Sequence, residues 1–336
     1  MANRGERTTG GVVTEPRMTA VVLDRFGGVD QLSSRRIPLP GFGDDDVLIR
    51  VEFAGVGSWD AEERRGEFDG AFGVASTFPY VLGWDAAGTV AAVGRNVTRF
   101  NVGDRVYAAT MPVSRGGFYA EYGVVEAEFV ARVPDRMPTE QAGLLAWDAL
   151  TALSGLELLG LRPDETLMVF GASGGIGHLA VQLARHRGIR VLAVASGDDG
   201  VALARRLGAD EAIDGRREDV LAAAFKFAPG GLDAALVTAG GETAERSLRA
   251  IRNSGRIAWP NGVLPVPVTS PGATVSHYDG DRSRTATDRL NAIIEAGSLA
   301  VHVARTFPLA RAVDAHRALE DHYVGKMALR VGPEAP

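Results

Sequence analysis

The chain has 336 residues, 46% of them hydrophobic and 23% charged, the make-up of an ordinary soluble globule large enough for about two domains. Its 36 Lys and Arg against 42 Asp and Glu give a formal charge of -6, which offers no broad attraction to nucleic acid or an anionic membrane. There is no cysteine, so disulfides, thiolate zinc sites, iron–sulfur clusters and cysteine nucleophiles are excluded.

Residues 1–17 carry Arg4, Arg7 and Arg17 but no apolar segment of the secretory kind. No run of about 18 apolar residues occurs anywhere. A disordered N-terminus and a cytoplasmic protein without a membrane partner are expected. From Met18 to about Pro138 the pattern is one of short strands, at 18–23, 47–56, 86–94, 104–108 and 129–133, punctuated by Gly, Asp and Pro. That pattern predicts a compact antiparallel barrel or sandwich.

Residues 167–184 then read L-M-V-F-G-A-S-G-G-I-G-H-L-A-V-Q-L-A, an apolar strand, a glycine-rich turn and a helix with apolar spacing. The turn is an A-x-G-x-x-G variant of the dinucleotide fingerprint, with Ala172 where the first glycine usually stands. Ser173, Gly174, Gly175, Ile176 and Gly177 are expected at a pyrophosphate. Gly174 lacks the Cβ that would block the anion, Gly177 lets the helix pack on the strand, and the free N–H groups of the helix start point at the ligand. Beyond it the chain alternates strand 189–195, helix 201–207, strand 211–214, helix 219–225, strand 233–238, helix 243–251 and strand 256–259. Such alternation predicts a parallel, doubly wound α/β sheet. A Pro- and Gly-rich stretch at 260–271 precedes a strand at 273–278 and a helix at 289–296, and the tail from Ser298 returns to the first domain.

The second strand of that sheet ends at Ser196 rather than at a carboxylate. A hydroxyl there leaves room for a 2′-phosphate, with Arg205 or Arg206 as counter-charge, and favours NADPH. The bland alternative is a turn in which Asp198 or Asp199 caps the next helix. Thr238, Ala239 and Gly240 follow the fourth strand, and Pro260 and Asn261 the fifth, so both loops are expected along the cofactor.

Together these segments resemble the medium-chain dehydrogenase/reductase superfamily, in its zinc-free quinone oxidoreductase (zeta-crystallin-like) branch. The resemblance rests on F-P-Y-V-L-G-W-D-A-A-G-T-V-A-A-V-G at 78–94, F-N-V-G-D-R-V-Y at 100–107, G-G-F-Y-A-E-Y at 116–122, the glycine loop, L-G-A-D at 207–210 and G-K-M-A-L-R-V in the tail. It implies a GroES-like catalytic domain from 18–137 and 298–332, a Rossmann NADP-binding domain from 138–297, and an active site between them. It also places Trp84 where zinc-dependent members carry a histidine ligand. An indole has no lone pair for a metal, and Asp60 and Asp85 do not complete a three-ligand zinc set. No zinc is expected.

What such a protein does without zinc is pass hydride to an already polarised acceptor, a quinone or an α,β-unsaturated carbonyl. On the resemblance, Thr151 lies by the nicotinamide and Asp60 organises the substrate mouth. Trp59 and Trp84 line the substrate pocket, with Phe68, Phe72 and Phe78 extending the wall or packing beneath it. The six histidines form no metal spacing and are expected at the surface or at helix ends. Two other functions stay open. An enoyl-thioester reductase would need a basic entrance, for which Arg64, Arg65 and Arg115 are candidates, and a non-catalytic NADPH sensor or RNA-binding module would need a basic surface. The family inference for assembly is a homodimer joined along the strand at 273–278.

Overall fold

The computed structural model describes residues 15–71, 73–111, 116–268 and 272–332. The expectations for residues 1–14, Phe72 and Arg115 fall outside the described residues. Arg17, which had been counted with the N-terminal tail, opens the first strand. In chain order the first strands are β1 (Arg17–Leu23), β2 (Ser33–Pro38), β3 (Asp46–Val56), β4 (Tyr80–Val81), β5 (Asp85–Val93), β6 (Arg105–Ala109), β7 (Tyr122–Glu126) and β8 (Val130–Arg132). They are followed by β9 (Thr166–Phe170), β10 (Arg190–Ala195), β11 (Glu211–Asp214), β12 (Leu232–Val237), β13 (Ile251–Pro260), β14 (Thr274–Tyr278), β15 (Val303–Pro308) and β16 (Lys326–Arg330).

Two of the three sheets belong to the β-rich part. One runs β2-β1-β4, the other β15-β16-β3-β5-β6-β8 with β7 also paired to β3. Alternation explains the long central strand: Val47, Ile49 and Val51 are buried at 0%, 0% and 3% exposure, while Arg50 between them faces solvent. The tail completes this sheet, because β16 runs antiparallel to β3 with Ala328 opposite Gly55.

The third sheet is wholly parallel in the order β11-β10-β9-β12-β13-β14. Strand order reverses between β9 and β12, which is where open α/β sheets bind ligands. Its strands read as continuous apolar runs because both faces are covered, and Leu167, Met168 and Val169 have no exposure at all. Several boundaries differ from the sequence reading: the helix expected at 201–207 spans Gly197–Arg206, the strand expected at 256–259 spans Ile251–Pro260, and the helix expected at 289–296 spans Arg284–Glu295. The helix expected at 243–251 is Glu242–Ser247 followed by a short 3-10 turn, and Ile251 already belongs to β13, where it pairs with Leu232. The helix Ala146–Leu159 links the two parts, packing on the helix Gly175–His186 as well as on β13.

Candidate active site

At the reversal point a cavity of about 680 Å³ opens between the two parts. The glycine loop forms its floor. A Cβ on Gly174 would meet only the Gly171 carbonyl at 3.5 Å, so a ligand atom has room there. A Cβ on Gly177 would stand 2.1 Å from the Gly171 oxygen, which is the close helix-to-loop packing expected of that glycine. Gly175 has another reason: a Cβ would fall 2.1 Å from Asp148 Oδ2. Ser173, Gly174, Gly175 and Ile176 line the cavity, whereas Ala172 is fully buried and, like Gly177, shapes the loop from beneath. This open anion cradle at a helix start fits a dinucleotide pyrophosphate.

A buried histidine braces the loop. His178 bonds through Nδ1 to the Gly174 carbonyl at 2.8 Å, and its Nε2 accepts from the His302 N–H at 3.2 Å. The second bond fixes Nδ1 as the donor, and burial lowers the pKa to about 4, so the ring stays neutral. His178, in the first turn of the helix Gly175–His186, and His316, in the last turn of the helix Ala312–Ala318, stand at helix ends as expected but away from the surface, at 0% and 1% exposure. Both fill space inside the protein with each ring nitrogen engaged.

Ser196 lines the far end of the cavity and makes no capping bond to the helix Gly197–Arg206, which leaves its hydroxyl for a ligand. The nearby carboxylates are engaged elsewhere. Asp198 pairs with Arg217 at 2.9 Å and Asp199 with His322 Nε2 at 2.9 Å; the latter bond holds the Asp199 pKa below its ordinary value. Arg205 donates to the Ala212 carbonyl at 3.0 Å, and neither it nor Arg206 lines the cavity. The cation that does so beside Ser196 is Arg216, which the sequence reading passed over. Thr238, Ala239, Gly240, Pro260 and Asn261 all line the wall, as their strand ends predict.

The opposite wall is aromatic. The Trp59 ring lies 5.3 Å from Trp84, 5.6 Å from Phe68 and 6.0 Å from Trp147, and Trp84 lies 5.3 Å from Trp147. Tilted and edge-to-face contacts of this kind hold large rings rigidly. Phe78 stands apart, edge-to-face against Phe26 at 5.1 Å. The Trp84 indole donates to Glu63 Oε2 at 2.7 Å, and Tyr80 donates to the other carboxylate oxygen. Burial drives Glu63 up to about 8 despite those donors. Trp147 is pinned by its backbone N–H to Asp85 Oδ1 at 2.7 Å and by Nε1 to the Thr110 carbonyl at 3.1 Å.

Between the aromatic wall and the glycine loop lies a buried charge cluster. Lys326, 7% exposed, holds Asp148 Oδ2 at 3.0 Å and Asp85 Oδ2 at 3.7 Å. Burial works against its charge, yet Asp148, Asp85 and Asp60 outweigh it and hold the ammonium above its ordinary range. Burial raises Asp85 to about 7 and Asp60 to about 6. Asp60 accepts through Oδ2 from the Gly57 N–H at 2.8 Å at the start of the helix Ser58–Arg64, the one half of a capping box that a glycine N-cap allows. Thr151 stands one turn after Asp148 on the linking helix, its Oγ1 2.7 Å from where a Cβ on Gly280 would lie. Asp60, Thr151, Trp59 and Trp84 thus share this one cavity. Lys326, Asp148 and Trp147 join them. The sequence marks Lys326 only as one of two cations in the otherwise apolar tail segment G-K-M-A-L-R-V, with Arg330 the other.

Two candidates for a basic entrance are spent elsewhere. Arg64 is 6% exposed, directed to the Gly27 carbonyl at 3.2 Å and to His316 at 3.1 Å, and Arg65 pairs with Glu67 at 2.6 Å. Among the described residues no group of three or more His, Asp or Glu is placed to hold a metal ion. The donor set around Trp84 does not fit a catalytic zinc, which needs three such ligands.

Residues 43–135 match the alcohol dehydrogenase GroES-like domain and residues 175–263 the zinc-binding dehydrogenase family. The chain is similar to an NADPH-dependent alkenal/one oxidoreductase of Arabidopsis thaliana chloroplasts, at 32% identity over 93% of this chain and 79% of the relative. It is also 32% identical to an alcohol dehydrogenase of Rhizobium meliloti, over 75% of this chain and 80% of that one. The solved quinone oxidoreductase of Coxiella burnetii superposes with a TM-score of 0.82 at 25% identity, covering 94% of this chain and all of its own. The chain belongs to the medium-chain dehydrogenase/reductase superfamily and is an oxidoreductase.

Proposed function

We propose that the protein is an NADPH-dependent, zinc-independent reductase of quinones or α,β-unsaturated carbonyls, built as a catalytic domain from 18–137 and 298–332 around a Rossmann domain from 138–297. The observation that carries this reading is the wall of Trp59, Trp84 and Trp147 facing the glycine loop, with the Trp84 nitrogen committed to Glu63. Such a wall suits a flat, uncharged acceptor.

Bound NADPH supplies the hydride. The residues of the chain do the rest. The N–H groups at Gly175 and Ile176 hold the pyrophosphate, Ser196 and Arg216 receive the 2′-phosphate, and the loops at Thr238–Gly240 and Pro260–Asn261 flank the dinucleotide. Thr151 sets the nicotinamide face, and the tryptophans exclude water and hold the acceptor parallel to it. Lys326 sits where positive charge favours both the pyrophosphate and a developing oxyanion. Arg64 and Arg65, the described candidates for a basic entrance, are engaged elsewhere, which favours a free acceptor over one carried on coenzyme A.

The exposed edge strand β14, with Val275 39% exposed, supports the homodimer. Light scattering reporting a monomer at micromolar concentration would remove that element. No helix among the described residues is long and apolar enough to cross a membrane, in keeping with the cytoplasmic reading. Oxidation of NADPH and NADH is to be followed with simple quinones, free enones and an enoyl thioester. Turnover with NADPH and a free quinone or enone is expected; preference for NADH, or for the thioester alone, would overturn the proposal.

A further inference from the structure

The reaction proposed above needs one proton for each hydride. A quinone or enone that accepts hydride holds an extra electron pair on oxygen, and the product forms only when that oxygen or the adjacent carbon is protonated. The cavity contains a candidate store for that proton. Asp85 on β5 is 3% exposed. It is faced by Lys326 from β16 at 3.7 Å, by Asp148 and the Trp147 N–H from the linking helix, and by Asp60 from the helix Ser58–Arg64. On the β3 side, a Cβ on Gly55 would lie 3.3 Å from that of Asp85. Three carboxylates therefore share one ammonium. Tyr323, Tyr119, Glu63 and His178 are further titratable neighbours of the cluster; burial raises both phenols and Glu63 and lowers His178, in each case favouring the neutral form.

The cluster touches the anion cradle directly. Gly175 is held without a Cβ by Asp148, and a Cβ there would also come within 2.9 Å of the Lys326 side chain. A pyrophosphate at Gly174 and Gly175 thus arrives beside Asp148 and Lys326. Its negative charge adds to that of the carboxylates, and it competes with Asp85 for the ammonium. Both effects act in one direction, making an ionised Asp85 more costly.

We propose that dinucleotide binding loads a proton onto Asp85, with Asp148 and Lys326 as the positioning pair that couples the cofactor phosphates to it. This rests on the dinucleotide reading of the cavity. Burial already raises Asp85 to about 7, so a modest further push suffices near neutral pH. After hydride transfer the ring left behind is cationic and the acceptor oxygen anionic. The O–H bond of Asp85 breaks, the proton passes through the cavity to the acceptor oxygen, and the carboxylate left behind pairs again with Lys326. Two electrons and one hydrogen come from NADPH and one proton from Asp85, which balances the reduction.

The test is calorimetry of NADPH binding to the intact protein in two buffers of different ionisation heat, slightly above neutral pH. The wild type is expected to take up a large fraction of a proton, and its Kd to weaken by up to about tenfold per pH unit as the pH rises past that point. Asp85→Asn is expected to abolish the uptake and flatten the Kd profile, and Asp148→Asn to reduce it. Infrared difference spectra of the wild type should show a protonated carboxyl band on adding NADPH, a readout that needs no variant. Tight binding without proton uptake, or equal uptake by wild type and Asp85→Asn, overturns the proposal. Failure of NADPH to bind at all overturns the dinucleotide reading and the proton store with it.

Discussion

Two residues carry most of the site's particular chemistry, and the sequence exposes only one of them. Trp84 is legible because it stands in a motif where a metal-binding histidine is the alternative. Its partner Glu63 is not, because nothing in a run such as A-E-E-R-R marks which glutamate turns inward. The pairing is a buried carboxylate with both oxygens occupied, so removing one donor is costly. Trp84→Phe keeps the ring but leaves Glu63 bonded only to Tyr80, and should lower stability by about 1–3 kcal/mol in urea unfolding. An unchanged midpoint would mean the Trp84–Glu63 bond does not matter to the fold. Gly177 can be tested similarly. With a backbone oxygen 2.1 Å from its absent Cβ, Gly177→Ala should cost about 1–3 kcal/mol and weaken cofactor binding by shifting the loop. Lys326 could not be assigned from sequence because its meaning comes from Asp85 and Asp148, which lie far from it along the chain.

Among elements, strands and amphipathic helices were readable and the buried linking helix was not. The helix Gly175–His186 has a clear apolar face, whereas Ala146–Leu159, A-W-D-A-L-T-A-L-S-G-L-E-L-L, is apolar almost all round because it is packed on several sides. Periodicity is silent there, although this helix presents Asp148 and Thr151 to the cavity. The strands β2, β4 and β7 were also missed: β2 reads S-S-R-R-I-P and is mostly exposed, so it lacks an apolar signature, and β4 is only two residues long. The linking helix also harbours a specific strain point. Gly155 admits the Tyr278 hydroxyl, which would lie 2.1 Å from a Cβ there and has no hydrogen-bond partner. Gly155→Ala should destabilise by about 1–3 kcal/mol. Tyr278→Phe should be neutral or stabilising by up to about 1 kcal/mol, since it removes an unsatisfied buried hydroxyl. Strong destabilisation by Tyr278→Phe would show that the hydroxyl is bonded in solution.

Across the whole molecule, the parallel doubly wound sheet and the return of the tail to the β-rich part follow from the alternation and motif order seen in the sequence. The meeting of the two parts does not, because it depends on long-range contacts such as the Gly325 N–H donating to the Ser173 carbonyl at 2.8 Å. Burying carboxylates where the parts meet has a consequence for pH. Asp60, Asp85 and Glu63 have folded pKa values of about 6, 7 and 8, above those of the unfolded chain. Each therefore holds its proton in the fold after the unfolded chain has released it. Their contribution is fully present below the ordinary carboxylate range and is lost as the pH rises through 6, 7 and 8. Asp104 and Asp233, held below the ordinary value, act oppositely and lose their contribution as the pH falls through their lowered values. Tm should therefore peak in mildly acid solution and decline toward alkaline pH, and Glu63→Gln should make the decline shallower. A Tm rising steadily from pH 6 to 8 would contradict the placement of these three groups.

The central claim is that hydride transfer here runs on NADPH without a metal. The most direct measurement is NADPH oxidation with a quinone by protein freed of metal ions with a strong chelator and checked for residual metal. The account predicts undiminished turnover, with no gain when zinc is restored. Activity lost on chelation and recovered with zinc would contradict it.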